Sequence, residues 1–145
     1  MVLQNRRARH NYEIIKTFEA GIELTGSEIK SLREGGGSIA ESYARAHNNQ
    51  IYLESMNIPV YKQASYNNHE PLRRRKLLLH RSEITVIQRA LDRKGLTLVP
   101  LKMYLKDGWA KLSIALARGK KVHDKRQADA KRDAQRQIDR ALKKY

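Results

Sequence analysis

Five histidines, fifteen carboxylates and thirty cationic side chains are the groups in this 145-residue chain that can do chemistry. His10, His47, His69, His80 and His123 stand alone: no two are three or four residues apart, and none adjoins a carboxylate pair at a metal-ligand spacing. The pattern therefore offers no metal centre. Acid–base catalysis needs convergent carboxylates or a histidine–carboxylate pair, and no motif announces one. The absence of Cys excludes a thiol nucleophile, a zinc ribbon and a disulfide framework. Gly35-Gly36-Gly37 follows a helical stretch and lacks the Gly-Lys-Ser/Thr of a phosphate loop, so it reads as a helix stop. Neither catalysis nor a cofactor is expected.

The chemistry that remains is electrostatic. Lys and Arg number 30 against 15 Asp and Glu, a formal charge of +15 and a pI of about 10.3. An excess this large calls for a polyanionic partner. Two knots concentrate it, Arg6-Arg7-Ala8-Arg9 and Arg73-Arg74-Arg75-Lys76, the second without a local acid. Arg6, Arg7, Arg9, Arg75 and Lys76 are candidates for RNA phosphates, with a solvated face as the plain alternative. Tyr12 and Tyr66 lie near these knots and have the ring to stack on a base, although a core position is the commoner use of a Tyr. The final 28 residues, 118–145, hold 11 basic and 4 acidic side chains; residues 1–117 hold 19 and 11. A boundary falls near Arg118, between a folded body, 1–117, and a basic appendage, 118–145. No stretch approaches the ~20 apolar residues of a membrane span, and Met1–His10 has no apolar signal region. A cytoplasmic protein without membrane contact is expected.

In the body, Tyr12–Leu24 reads as a strand, bent or broken at Gly21. Thr25 and Glu28 have capping-box spacing, so a helix Ser27–Arg33 follows, with Ile29 and Leu32 inward. Ser42–Ala46 and Gln50–Met56 flank a turn at Asn48-Asn49, and Thr97–Lys106 and Trp109–Ala117 flank Asp107-Gly108; both read as hairpins. Pro100 marks an edge or a bulge. Tyr61–Pro71 reads as a loop, and His80–Arg93 carries Ile84, Ile87, Ala90 and Leu91 at helical spacing. The fold class is mainly β: a small OB-like β-barrel with two or three packed helices. Such barrels bind nucleic acids on one face.

The tail from Asp124 has no Gly or Pro and carries Asp129/Arg132, Asp133/Arg136 and Asp139/Lys143 at helical pair spacings. Its apolar stripe of Ala130, Ala134, Ile138, Ala141 and Tyr145 is thin. An isolated helix of this length is marginal in water. Disorder is expected in the free chain, with a helix of roughly 30 Å forming when a polyanion neutralises the charge.

Six strings occur in order: Asn5-Arg6-Arg7-Ala8-Arg9-His10, Phe18-Glu19-Ala20-Gly21, Thr25 through Arg33, Arg75-Lys76-Leu77-Leu78-Leu79-His80, Lys94 through Lys102, and Ala117 through Arg126. Together they resemble the SmpB family of bacteria (small protein B, SsrA-binding protein). The resemblance runs over nearly the whole chain from Asn5. It implies an OB barrel with appended helices and no catalysis. It also implies binding to transfer-messenger RNA and delivery of that RNA to ribosomes stalled on messages without a stop codon. Trans-translation there tags the incomplete peptide and frees the ribosome. Elongation factor Tu and alanyl-tRNA synthetase are implied as indirect partners through the charged RNA.

By the same resemblance, Glu19, Leu78 and His80 match positions that bind the tRNA-like domain. A carboxylate there can accept from base amino groups or ribose hydroxyls. Core packing for Leu78 and helix capping for His80 are the structural alternatives. Gly119, Lys120, Lys121, Asp124, Lys125 and Arg126 match a signature needed on the ribosome. His123 matches a position that stacks on a small-subunit rRNA base in the decoding centre. The rest of the tail is implied to lie as a helix in the empty message channel. The chain departs from the family at Asn11, usually an acid, at Gly36, commonly Lys, and at Glu70, frequently Asp; the usual Asn is His80 here. An RNA-processing nuclease using His, a structural ribosomal protein and a general RNA-binding OB protein are the competing readings.

Overall fold

The computed structural model describes residues 2–64, 68–93, 95–120 and 122–143, and leaves the side chains of 122–124, 128 and 143 undescribed. In chain order the elements are β1 (Val2–Gln4), α1 (Ala8–Asn11), β2 (Tyr12–Ile22), α2 (Gly26–Arg33), β3 (Tyr43–His47), β4 (Gln50–Glu54), β5 (Arg75–Leu78), α3 (Arg81–Leu91), β6 (Leu96–Lys106), β7 (Trp109–Gly119) and α4 (Val122–Lys143).

Local chemistry explains most of these elements. Asn48 and Asn49 both take positive φ, 49° and 59°, as do Asp107 and Gly108, 52° and 81°. That is the backbone of a two-residue turn whose twist suits antiparallel strands. The turns join β3 to β4, with His47 opposite Gln50, and β6 to β7, with Lys106 opposite Trp109. The Thr25 hydroxyl accepts from the Glu28 amide, while Glu28 Oε1 accepts from the Thr25 amide at 2.8 Å, so α2 starts on the expected capping box. Ile29, expected inward, is only half-buried, whereas Leu32 is fully buried.

The strands form one antiparallel sheet. β6 pairs with β3, β3 with β4, β4 with β5, β5 with β2, β2 with β7, and β7 with β6 again, so six strands close a ring. β1 adds to β6, with Val2 opposite Tyr104. This is the OB-like, mainly β architecture expected. Neither β1 nor α1 is legible in the sequence: one is three residues long and the other four. The irregularity expected at Gly21 lies instead between Ile14 and Lys16, where β2 shifts register against β7. Pro100 does accompany a bulge, at Pro100/Lys102.

Leu112, Ile114 and Leu116 point into the ring with Phe18, Ile51, Leu53, Leu77, Leu98 and Met103. The other face of β7 stays partly accessible at Lys111 and Ser113. Its far end does not: Ala115 and Ala117 are buried with Ala8, Val99 and Leu101 in a second small core beneath α1. Tyr12 packs against this cluster, the core role of a Tyr rather than a free stacking platform. Strand β7 reaches Gly119, opposite Tyr12, two residues past the expected body boundary.

Inside the fold sits a buried ion pair. Glu28 and Arg75 are both fully buried, and Arg75 Nε donates to Glu28 Oε2. Arg75 Nη1 donates to the Met56 carbonyl at 2.7 Å and Nη2 to the Pro71 carbonyl at 3.1 Å. Arg73 Nη2 donates to Glu28 Oε1 at 2.7 Å. Desolvation opposes ionisation of Glu28, but the Arg73, Thr25 and Arg75 hydrogen bonds win and hold its carboxyl at about 2. This network pins α2, β5 and the connection after β4 to one another.

Candidate nucleic-acid interface

Three of the sequence candidates meet on one wall of the ring. Glu19 on β2, Leu78 at the end of β5 and His80 at the start of α3 line a single open cleft, together with Gly21, Leu24, Arg73, Glu83, Trp109 and Lys111. Strand alternation decides which side chains face it. Leu77 fills the core, so Leu78 points out and is 46% exposed; the core-packing alternative for Leu78 fails. Gly21 pairs with Leu78, and a Cβ on Gly21 would stand 3.2 Å from the Leu78 Cβ, so the close approach of β2 to β5 leaves room for little else. His80 is the N-cap of α3, its amide donating to Glu83 Oε1 at 3.0 Å, while its ring stays exposed. Capping thus fixes the His80 backbone at the edge of the cleft.

Glu19 is exposed and sits opposite Ser113 on β7, which in turn sits opposite Lys102 on β6. Partial burial, then the hydrogen bond and charge of Glu19, push the Tyr104 phenol up. The cleft is therefore amphipathic: the Glu19 carboxylate, an exposed Leu, an indole 71% exposed on Trp109, and cationic Arg73 and Lys111. Arg73 Nε is a buried donor without a hydrogen-bond partner among the described residues. These groups suit a nucleic acid, with a base face for the apolar side chains and phosphates for the cations.

The basic knots divide differently from the sequence expectation. Arg75 is not a surface cation; the Glu28 carboxylate and two carbonyls hold it in the core, where no phosphate reaches. Lys76 is half-buried on the outward face of β5 opposite Tyr52, and the Arg74 guanidinium stacks 4.3 Å from the Tyr52 ring centre. Arg6, Arg7 and Arg9 are exposed around α1.

The tail, expected to lack structure in the free chain, is helical here as α4. Its i, i+3 pairs form: Arg132 with Asp129 and Arg136 with Asp133. Lys120 ties its root to α1, its amide donating to the Asn11 carbonyl at 2.9 Å and its Nζ to the Arg9 carbonyl at 2.9 Å. Further along, His10 Nε2 meets Asp129 Oδ1 at 2.8 Å, and this hydrogen bond holds the Asp129 carboxyl below its usual range. Arg6, Arg9 and His10 then face Lys131, Arg132 and Gln135 across a groove.

The family model for the SmpB protein matches residues 2–144. The chain belongs to the SmpB family. It is 56% identical over 137 residues to the SsrA-binding protein of Deinococcus radiodurans, covering 94% of this chain and 96% of that one. It is 56% identical over 144 residues to the SsrA-binding protein of Allorhizobium ampelinum, covering 99% and 91%. A chain in the solved structure described as "tmRNA-SmpB: a journey to the center of the bacterial ribosome" is similar in fold, with a TM-score of 0.69, 52% identity and coverage of 83% and 85%.

In this SmpB-family chain, the tail signature is spread out rather than gathered. Gly119 ends β7, Lys120 anchors α1, Lys125 is half-buried and Arg126 exposed on α4. Lys121 lies outside the described residues, as do the side chains of His123 and Asp124, and so does Tyr66. Sequence reasoning missed Arg73 as a cleft residue, and missed Trp109, Lys111 and Tyr104 altogether. The signal for Trp109 was present: the only Trp of the chain directly follows the Asp107-Gly108 turn, where a hairpin tip exposes it.

Proposed function

We propose that this chain binds the tRNA-like part of transfer-messenger RNA and brings it to stalled ribosomes for trans-translation. The observation that carries this is the convergence of Glu19, Leu78 and His80 from three chain segments onto one exposed, partly cationic cleft in a member of the SmpB family. The cleft grips the RNA; the α4 segment, basic and rod-shaped, enters the vacant downstream message channel of the small subunit. Occupancy of that channel by message excludes the tail sterically, which selects stalled ribosomes. Elongation factor Tu and alanyl-tRNA synthetase meet the chain only through the charged RNA. The protein works in the cytoplasm and performs no catalysis. Among the described residues no helix is long and apolar enough to cross a membrane.

The test is a pair of variants read on two assays. Glu19→Ala lowers affinity for an isolated tRNA-like RNA by roughly tenfold or more, the value of a charged hydrogen bond. A chain ending at Lys120 keeps β7 and loses peptide tagging on stalled ribosomes, while its RNA affinity falls less than that of Glu19→Ala. Wild-type protein that fails to bind the RNA, or a shortened chain that still tags, overturns the reading.

A further inference from the structure

The groove between α1 and α4 takes cations from opposite ends of the sequence: Arg6 and Arg9 from one wall, Lys131 and Arg132 from the other. Asp129 bridges the walls and is engaged twice, by His10 across the groove and by Arg132 along the helix, while Asp139 accepts from Gln135. The walls are otherwise joined by Lys120, through the carbonyls of Arg9 and Asn11. Arg6 and Arg9 also line a shallow hollow with Gln4, Asn5, Lys102 and Ser113. Ser113 is the register partner of Glu19, so the groove and the cleft are neighbours on one surface.

We propose that this groove is a composite binding site for an RNA phosphodiester backbone, complete only while α4 is docked on α1. The inference rests on the RNA-binding reading and adds to it a second site and a coupling. Four guanidinium or ammonium groups brought face to face repel one another, and one Asp129 offsets only part of that repulsion. A phosphate between the walls removes it and releases counterions. The α4 helix itself buries little: Ile138 is 53% exposed and Leu142 71%. Its docking therefore depends on the His10–Asp129 contact and on whatever anion fills the groove. RNA binding and helix docking become one linked equilibrium, in which each promotes the other equally.

Asp129→Ala separates this from plain electrostatics. The substitution removes a negative charge from a basic rod and raises helix propensity. A tail that acts as an independent cationic helix would then bind RNA more tightly. A composite groove loses its cross-wall contact and binds more weakly. The probe is a 12-base-pair RNA duplex titrated with the full-length chain at several salt concentrations. We expect Asp129→Ala to weaken binding about fivefold and to reduce the salt slope by one to two phosphate contacts. The double substitution Arg9→Gln, Lys131→Gln should cost less than the product of the two single losses, because either change already opens the groove. Unchanged or tighter binding by Asp129→Ala, or strictly multiplicative Arg9 and Lys131 effects, overturns the proposal. Two further arms identify the source of the RNA: a loss seen with an isolated tRNA-like RNA assigns the groove to the delivered RNA, and a loss seen with purified small subunits assigns it to ribosomal RNA. If wild-type chain binds these RNAs and Asp129→Ala equals it, the groove alone fails; if wild-type chain binds neither, the RNA-binding reading fails with it.

Discussion

Glu28 carries more of the fold than any other single charge. It is fully buried, yet three donors reach its carboxylate: the Thr25 amide, Arg73 Nη2 and Arg75 Nε, while the Thr25 hydroxyl accepts from the Glu28 amide to close the capping box. Removing one partner of such a pair strands the other in low dielectric, at a cost of about 3–5 kcal/mol. Glu28→Gln should therefore lower chemical-denaturation stability by that order, a large share of a typical domain's ~5–15 kcal/mol. Arg75→Gln should do the same, whereas Lys76→Gln, on the outward face, should leave the midpoint nearly unchanged. The carboxyl also makes the fold acid-sensitive. It is held at about 2 against 4.5 for a free Glu, so its stabilisation is complete above pH 4.5. That contribution fades as pH falls from there through about 2, because the unfolded chain takes up the proton first. Urea midpoints measured between pH 6 and pH 2.5 should fall for the wild-type chain and stay flatter for Glu28→Gln. In the cleft, Leu78→Ala should weaken RNA binding several-fold with little change in melting temperature, since this Leu is already 46% exposed.

At the scale of elements, the turn after α2 is the tightest constraint. Gly37 has φ of +109°, and a Cβ there would lie 2.7 Å from Leu32 Cδ2. Gly37→Ala combines backbone strain with overpacking of a fully buried Leu, and should cost roughly 2–4 kcal/mol by thermal or chemical unfolding. The opposite extreme is α4. It has seven Lys or Arg and four Asp between Asp124 and Lys143, and its surface pairs are each worth a few tenths of a kcal/mol. Ending the chain at Lys120 should shift the melting temperature by no more than a degree or two. A synthetic 122–145 peptide should show little helix by circular dichroism in dilute buffer and gain it in trifluoroethanol.

For the molecule as a whole, net charge sets how it meets its partners. With +15 over 145 residues, association with RNA should be fast and strongly dependent on salt. A complex using about six to ten phosphate contacts loses roughly 10³–10⁵ in affinity between 50 and 200 mM salt. A log–log plot of affinity against salt measures this directly, and a slope near zero would mean the charge takes no part in binding. The same surface places two differently built regions side by side: an amphipathic cleft with Glu19, Leu78 and Trp109, and a mainly cationic groove at α1 and α4.

Local chemistry was enough to read most of the architecture. Asn48-Asn49 and Asp107-Gly108 specified their hairpins because few residues accept positive φ, Thr25 and Glu28 specified a helix start through reciprocal hydrogen bonds, and the charge imbalance specified a polyanionic partner. The six strings were distinctive enough to point to the SmpB family, and Glu19, Leu78 and His80 to a common site. What the chain could not disclose locally was which side of each element would be buried. Arg75 reads as one more cation in a basic run, yet strand parity turns it inward onto Glu28, 47 residues away. Nothing in the neighbouring residues marks Ala115 and Ala117 for burial in a second core with Ala8. Arg9 and Lys131 have no sequence relation, and only the return of β7 alongside β2 brings the tail back to the first helix. Turns and caps are settled by neighbours within four residues; burial and the pairing of distant charges are settled by which strands close the ring, and that is a property of the assembled sheet.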